Sequence, residues 1–350
     1  MNILISSYPF HPSIGGIETV TELLAGEFVA QGHSVKVVTM TPSSAIDPFP
    51  YEVVRRPSPR QLINLVRGCD VYLQQNLSLR LAWPLLLVRR PWVVAMQTYL
   101  GDEGNRVSWG RRLKSAALQL TTRLTACSRA LADQIGGDIS VIPNPYRESV
   151  FRRYNDASRE YDLVFLGRLV SDKGVSILFE ALRRLRDGGL APTLLIIGSG
   201  PEEWRLRSQC AALGLANQVG FCGALRENEL SKRLNVCRIM VIPSIWDEPF
   251  GIVALEGIAC GCAIVASNAG GLPEAVGPCG VTFPKGDAAA LADRLVELLG
   301  DPRSLAAMRA RAAEHLLRHR PATVAGAYLE ILGRAVDPRG RKSLRSQRRQ

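Results

Sequence analysis

The chain predicts two successive doubly wound α/β domains, on three observations. Short apolar runs of strand length alternate with stretches of helical periodicity, and this alternation occurs as two series. Between the series, near Pro145–Glu160, residues of the Pro, Asn, Tyr and Arg type replace apolar periodicity, as expected of a domain boundary. The strand-like runs are bounded by Gly and Pro and are apolar on both faces, which suits buried parallel strands with helices on either side of the sheet.

In the first series the runs Asn2–Ser6, Ser34–Met40, Asp70–Gln74, Trp92–Gln97, Leu124–Cys127 and Ser140–Ile142 are read as strands, and helical periodicity is clearest over Glu18–Gln31 and Arg111–Arg123. The second series holds Asp162–Gly167, Thr193–Gly198, Gln218–Phe221, Ile239–Pro243, Ala263–Ser267 and Gly280–Phe283, interleaved with helical stretches near 174–188, 201–213, 227–235, 251–260 and 287–299. Alanine- and arginine-rich helices follow Pro302 to about Val336. The expected organisation is a first domain over 1–150, a second over 151–320, a helix over 321–336 and a basic tail over 337–350. Because ligands of open α/β sheets bind outside the carboxyl ends of the strands, a cleft between two facing sheets is the expected active site.

A length of 350 residues allows each domain its own core, and 47% hydrophobic with 21% charged residues is the balance of a globular chain rather than a disordered one. The longest apolar run, Leu81 to Val88, contains a proline and ends at Arg89-Arg90, far short of a bilayer span. Met1-Asn2 leads straight into an apolar strand without the regions of a signal peptide, so a cytosolic location is expected. Eight scattered cysteines, with no C-x-x-C pair, are read as reduced core thiols rather than a zinc site or disulfide frame. The formal charge is +11, of which the last fourteen residues contribute +5. That tail is read either as simply solvated or as attracted to an anionic membrane surface. Nucleic acid is not expected as a partner, since no recognition motif accompanies the charge.

The most informative stretch runs from Pro243 to Glu274, P-S-I-W-D-E-P-F-G-I-V-A-L-E-G-I-A-C-G-C-A-I-V-A-S-N-A-G-G-L-P-E. It places Glu248 and Glu256 on either side of a Pro-Phe-Gly turn that opens into an apolar helix. Gly251 lets backbone come close to a ligand, and free N–H groups at the helix start suit an anion. Glu256 is expected about two turns inside that helix. Two surface glutamates on a strand, turn and helix are the plainer reading of the same residues. Further upstream, D-L-V-F-L-G-R-L-V-S-D-K-G sets Arg168 and Lys173 just past a strand end, where two cations suit a diphosphate.

The spacing E-x7-E with F-G after the first Glu, the downstream G-G-x-P-E, and the G-R-L-x-x-x-K-G string together resemble the retaining nucleotide-sugar glycosyltransferases of family 4, the glycosyl transferases of group 1, which have the GT-B fold of two Rossmann-like domains facing a central cleft. The resemblance spans roughly residues 1 to 335 and is most specific in the second domain. It implies a UDP- or GDP-linked sugar donor, a glycan or lipid-linked acceptor, transfer with retention of configuration, and no resident cofactor. Arg168 and Lys173 then stabilise the leaving nucleoside diphosphate as charge develops. Glu248 lies near the donor sugar, and Glu256 accepts hydrogen bonds from ribose hydroxyls. Phe250, Gly251 and Ile252 offer backbone N–H groups, and Gly198, in I-I-G-S-G-P, belongs to the nucleotide-side loop. In the first domain the resemblance carries a phosphate-side role onto Gly15 and Gly16, with Glu18 beside them. The helix at 321–336 is expected to cross back onto the first domain.

One position departs from the family pattern. Where a histidine is usual, V-V-A-M-Q-T-Y-L-G-D-E puts Gln97, a residue type that can hydrogen-bond a sugar hydroxyl but cannot titrate near neutral pH. Tyr99, Asp102 and Glu103 are candidate acceptor-facing residues or plain loop residues. His315 and His319 have i, i+4 spacing without a third ligand, and no D-x-D string occurs, so no metal is expected. Ser108–Arg123 mixes Trp109, leucines and basic residues, and is read as a core helix or an interfacial helix on an anionic membrane. A nucleotide-sugar epimerase or phosphorylase on the same fold, and a non-catalytic sugar-nucleotide binder, remain as alternatives.

Overall fold

A computed structural model describes residues 1–43, 48–99, 109–154 and 158–337. The chain divides into two compact units, the first formed by Met1–Pro145 and resumed at Pro321, the second by Tyr146–Arg320. The candidates Asp102 and Glu103, and the basic tail from 338 onward, lie outside the described residues.

The first unit is built on seven strands: β1 (Asn2–Ser7), β2 (Ser34–Thr39), β3 (Glu52–Arg55), β4 (Val71–Gln75), β5 (Trp92–Met96), β6 (Arg123–Ala126) and β7 (Ser140–Val141). Their order is β3-β2-β1-β4-β5-β6-β7, and every pairing is parallel. The chain thus runs outward from β1 to β3, then reverses at β4, leaving a switch point between β1 and β4. β4 and β5 are buried along their whole length; β5 is apolar throughout, whereas β4 closes on the buried pair Gln74 and Gln75. Helix Pro321–Val336 packs against helix Gly16–Ala30 and against β4 and β5, so the end of the chain closes one face of this sheet. Val324, Ala325, Tyr328, Leu332 and Ala335 form its buried stripe, at the spacing of one helix face.

The second unit holds β8 (Tyr161–Leu166), β9 (Leu194–Ile197), β10 (Val219–Phe221), β11 (Cys237–Ile242), β12 (Ala263–Ser267) and β13 (Gly280–Phe283). They form a parallel sheet in the order β10-β9-β8-β11-β12-β13, with the switch point between β8 and β11. Leu163, Phe165, Ile196, Val241 and Val265 from the strands meet Phe179 and Leu182 from helix Val175–Asp187 in the core. Helix starts are fixed locally: Asp287 accepts hydrogen bonds from the Ala289 and Ala290 N–H groups, and Asp301 from those of Arg303 and Ser304.

Several elements differ from the expectation. The helix expected over Arg111–Arg123 is Trp109–Leu118, because Arg123 already pairs with Val93 as the first residue of β6. Helix Ile252–Ala259 begins four residues before Glu256, so Glu256 lies little more than one turn inside it, not the two expected. The edge strand β3 and the helices Pro59–Gly68, Arg129–Ile135 and Leu272–Val276 are additional. The apolar run at Leu81–Val88 is spent on a short helix and a 3-10 turn, with Leu86 and Leu87 exposed. Among the described residues no helix is long and apolar enough to cross a membrane.

Candidate active site

In the second unit four loops converge at the carboxyl ends of β8, β9, β11 and β12, around the switch point. The loop after β8 carries Arg168, a 3-10 turn Ser171–Lys173 and then Gly174, at φ 71°. A Cβ at Gly174 would lie 1.9 Å from the Pro243 carbonyl oxygen, so only glycine allows the loop after β8 to press against the loop after β11. The two loops are also joined by backbone hydrogen bonds, the Ile245 and Trp246 N–H groups both donating to the Asp172 carbonyl at 2.9 and 3.3 Å. The glycine loop after β9 comes equally close: a Cβ on Gly198, at φ 144°, would fall 1.8 Å from the Gly167 carbonyl oxygen.

On this frame Lys173 Nζ forms an ion pair with Glu248 Oε1, and both side chains are largely buried. Ser244 Oγ donates to the same carboxylate oxygen at 2.6 Å, and Ser267 Oγ, at the end of β12, donates to the Ser244 carbonyl at 2.7 Å. The Gly271 N–H donates to the Glu248 carbonyl at 2.7 Å, fixing its backbone as well. Sequence reasoning missed Ser244 and Ser267, since serines at strand ends carry no distinctive pattern. Arg168 is exposed, with no protein partner for its guanidinium among the described residues. The arrangement therefore offers an unneutralised cation beside a neutralised pair.

Gly251 caps helix Ile252–Ala259 at φ 103°, and no side chain bonds the first N–H groups of the helix. A Cβ there would meet Leu272 Cδ2 at 2.5 Å, so the turn sits directly on helix Leu272–Val276. Phe250 is buried with its ring 5.6 Å from that of His319, which holds the turn from below. Glu256 is half-buried as a residue, but burial of its carboxyl end pushes its pKa up to about 7, opposed by the positive charge of Arg147. Arg147, in the linker V-I-P-N-P-Y-R, was not singled out from the sequence; its only signal is charge just beyond the proline pair. His315 Nε2 lies 2.9 Å from the Ala275 carbonyl, and burial lowers its pKa, so the neutral ring donates there. Among the described residues no cluster of His, Cys, Asp or Glu is arranged to hold a metal ion.

In the first unit Gly15 and Gly16 begin helix Gly16–Ala30, with Glu18 buried in its first turn. Gly15 leaves room for Glu18, whose Oε2 would lie 2.6 Å from a Cβ at that position. Gln97 follows the last residue of β5 and is 5% exposed; its Nε2 donates to Gln75 Oε1 at 3.3 Å, while its backbone N–H donates to Asn76 Oδ1 at 2.6 Å. The structure thus brings Arg168, Lys173, Gly198, Glu248, Phe250, Gly251, Ile252 and Glu256 to the strand ends of one unit, and places Gly15, Gly16 and Gln97 at the strand ends of the other.

Residues 147–315 match the family model described as "Glycosyl transferases group 1". The glycogen synthase of Mycobacterium tuberculosis is 36% identical over 205 residues, covering 55% of this chain and 49% of that protein. A GDP-mannose-dependent alpha-(1-6)-phosphatidylinositol monomannoside mannosyltransferase of Mycolicibacterium smegmatis is 34% identical over 265 residues, covering 73% of this chain and 65% of the relative. The chain spans about half the length of the first curated relatives it matches. Among solved structures, Anabaena HepE in complex with UDP superposes with a TM-score of 0.81 at 22% identity, covering 95% of this chain and all of the other (100%). Sucrose-phosphate synthase from Thermosynechococcus elongatus does so with a TM-score of 0.78 at 20% identity, covering 94% and 98%. These likenesses establish the GT-B fold.

Proposed function

Because the chain belongs, through residues 147–315, to the group 1 glycosyl transferases and carries their GT-B fold, we propose that it is a retaining enzyme that moves a sugar from a UDP- or GDP-linked donor to a hydroxyl of a glycan or lipid-linked acceptor. The observation that carries this reading is the grouping at the second switch point: exposed Arg168, the Lys173–Glu248 pair and the uncapped helix start at Gly251. Arg168 and Lys173 past the end of β8, with free N–H groups past the end of β11, suit a diphosphate, and a carboxylate one helical turn further on suits a ribose.

In the proposed reaction the bond from the anomeric carbon to the diphosphate oxygen breaks as the acceptor oxygen bonds to the same face of that carbon. The acceptor proton passes to the departing phosphate oxygen, so no protein nucleophile is required. Arg168 and Lys173 offset the charge that grows on the diphosphate, and Glu248, held by Lys173 and Ser244, faces the donor sugar. Phe250, Gly251 and Ile252 offer backbone N–H groups to sugar and phosphate. Gly15 and Gly16 keep their phosphate-side role. No metal takes part, so EDTA is expected to leave turnover unchanged. HepE was solved with UDP, and the mycobacterial mannosyltransferase is GDP-mannose-dependent, which supports a nucleoside-diphosphate sugar and leaves its base open. We place the acceptor in surface polysaccharide or glycolipid synthesis, at an anionic membrane surface reached by the basic tail.

Titration calorimetry with UDP, GDP and ADP, repeated on Glu256→Ala and Arg168→Ala, tests the donor site. Binding of one nucleotide, weakened by both substitutions, supports the reading; absence of binding by all three rejects it. Release of nucleoside diphosphate only when acceptor is present separates transfer from epimerisation and from mere binding.

A further inference from the structure

A layer of unpaired polar atoms lies inside the first unit, between the sheet and helix Pro321–Val336. Gln75 and Thr125 both flank Ala95 in register, and Gln97 follows two residues after Ala95, so all three project from one face of the sheet. Tyr328, on the helix that packs over β4 and β5, reaches the same layer. Gln75, Gln97, Thr125 and Tyr328 are 1%, 5%, 0% and 1% exposed. Among the described residues Gln75 Nε2, Gln97 Oε1, Thr125 Oγ1 and the Tyr328 hydroxyl have no direct partner, although burial raises the Tyr328 pKa and Thr125 and Gln97 are close enough to oppose that rise. Buried polar groups of this kind are paired in folded proteins, directly or through ordered water. Here the inventory matches: one amide donor, one amide acceptor and two hydroxyls that serve as either.

We propose that Tyr328 is a positioning residue for Gln97, its hydroxyl donating to Gln97 Oε1 through one ordered water shared with Thr125. Gln97 Nε2 is already committed to Gln75, and the Gln97 and Thr98 N–H groups to Asn76 Oδ1 at 2.6 and 3.1 Å. The Tyr328 bond completes the set and fixes the loop that leaves β5. Its kinetic consequence rests on the reading of that loop as sugar-facing.

Tyr328→Phe keeps the ring and removes only the oxygen. If the hydroxyl supports Gln97, melting falls by about 3 °C; if it is a true orphan, melting is unchanged or rises. Gln97→Leu should lower melting similarly, and the double variant should lose less than the sum of the two. With the nucleotide sugar identified by calorimetry, Tyr328→Phe should lower kcat/KM about fivefold, and the double variant no further than Gln97→Leu alone. Unchanged or raised melting, additive losses, or normal kinetics for Tyr328→Phe beside impaired Gln97→Leu would overturn the proposal. Normal kinetics for Gln97→Leu would instead remove the sugar-facing reading of the loop, and the melting cycle alone then decides whether Tyr328 holds Gln97.

Discussion

Lys173 and Glu248, 75 positions apart, form an ion pair across the switch point between β8 and β11. Neither strand order nor loop length requires it; it exists because Gly174 lets one loop rest on the Pro243 carbonyl. Lys173→Met should cost about 1 kcal/mol in a denaturant melt, since it leaves a partly buried carboxylate held only by Ser244. Turnover should fall at least about tenfold, with donor binding changed less, because in the proposed reaction the lost charge acts on the leaving group.

Gly174→Ala and Gly198→Ala should each destabilise the chain by roughly 2 kcal/mol or more, since both need a positive φ and both would drive a Cβ into a carbonyl oxygen. Gly286→Ala is the control: it also has a positive φ, at 80°, but meets open space, so its thermal melt should shift less.

The Glu256 carboxyl, raised by burial to about 7, makes the site pH-dependent. Its contribution to stability is full below the unfolded value near 4.5 and is lost as pH rises through about 7, because the folded state then has to ionise a buried acid. Glu256→Gln should therefore flatten this part of the stability profile and be the more stable protein at pH 8. In the proposed donor site binding has the opposite sign: ribose hydroxyls would donate to the ionised form, so nucleotide-sugar affinity should rise between pH 6 and 8 in the wild type and stay level in Glu256→Gln. Calorimetry across that window measures both signs against each other.

Ser267→Ala leaves the Ser244 carbonyl without its buried donor and should cost about 1–2 kcal/mol in melting experiments. It should also loosen Ser244 beneath Glu248, lowering turnover less than Lys173→Met does.

The central parallel strands were legible because burial on both faces leaves apolar runs, as in β12, which stands at the residues expected of it. β3 was not, since E-V-V-R is four residues of a half-covered edge. Helix Pro59–Gly68 did carry a signal, the Ser58 and Gln61 capping box, but a weakly apolar sequence hid it. At the site, residue types and strand-end placement of Arg168, Lys173, Glu248 and Glu256 were readable from motifs. The ion pair, the Ser267–Ser244 relay and the raised Glu256 pKa were not, because each depends on which strands become neighbours and on how deeply a carboxyl is covered.

The return of helix Pro321–Val336 to the first sheet sets an order on the chain's birth. As the polypeptide leaves the ribosome, β4 and β5 emerge early, yet the helix that covers them is made only after Tyr146–Arg320. The second unit is contiguous and holds every residue of its own core, so it is complete before the first has its last helix. A chain that stops translating after Arg320 therefore carries a finished second unit with the face of the first sheet that Pro321–Val336 covers still bare, the kind of species that chaperones retain.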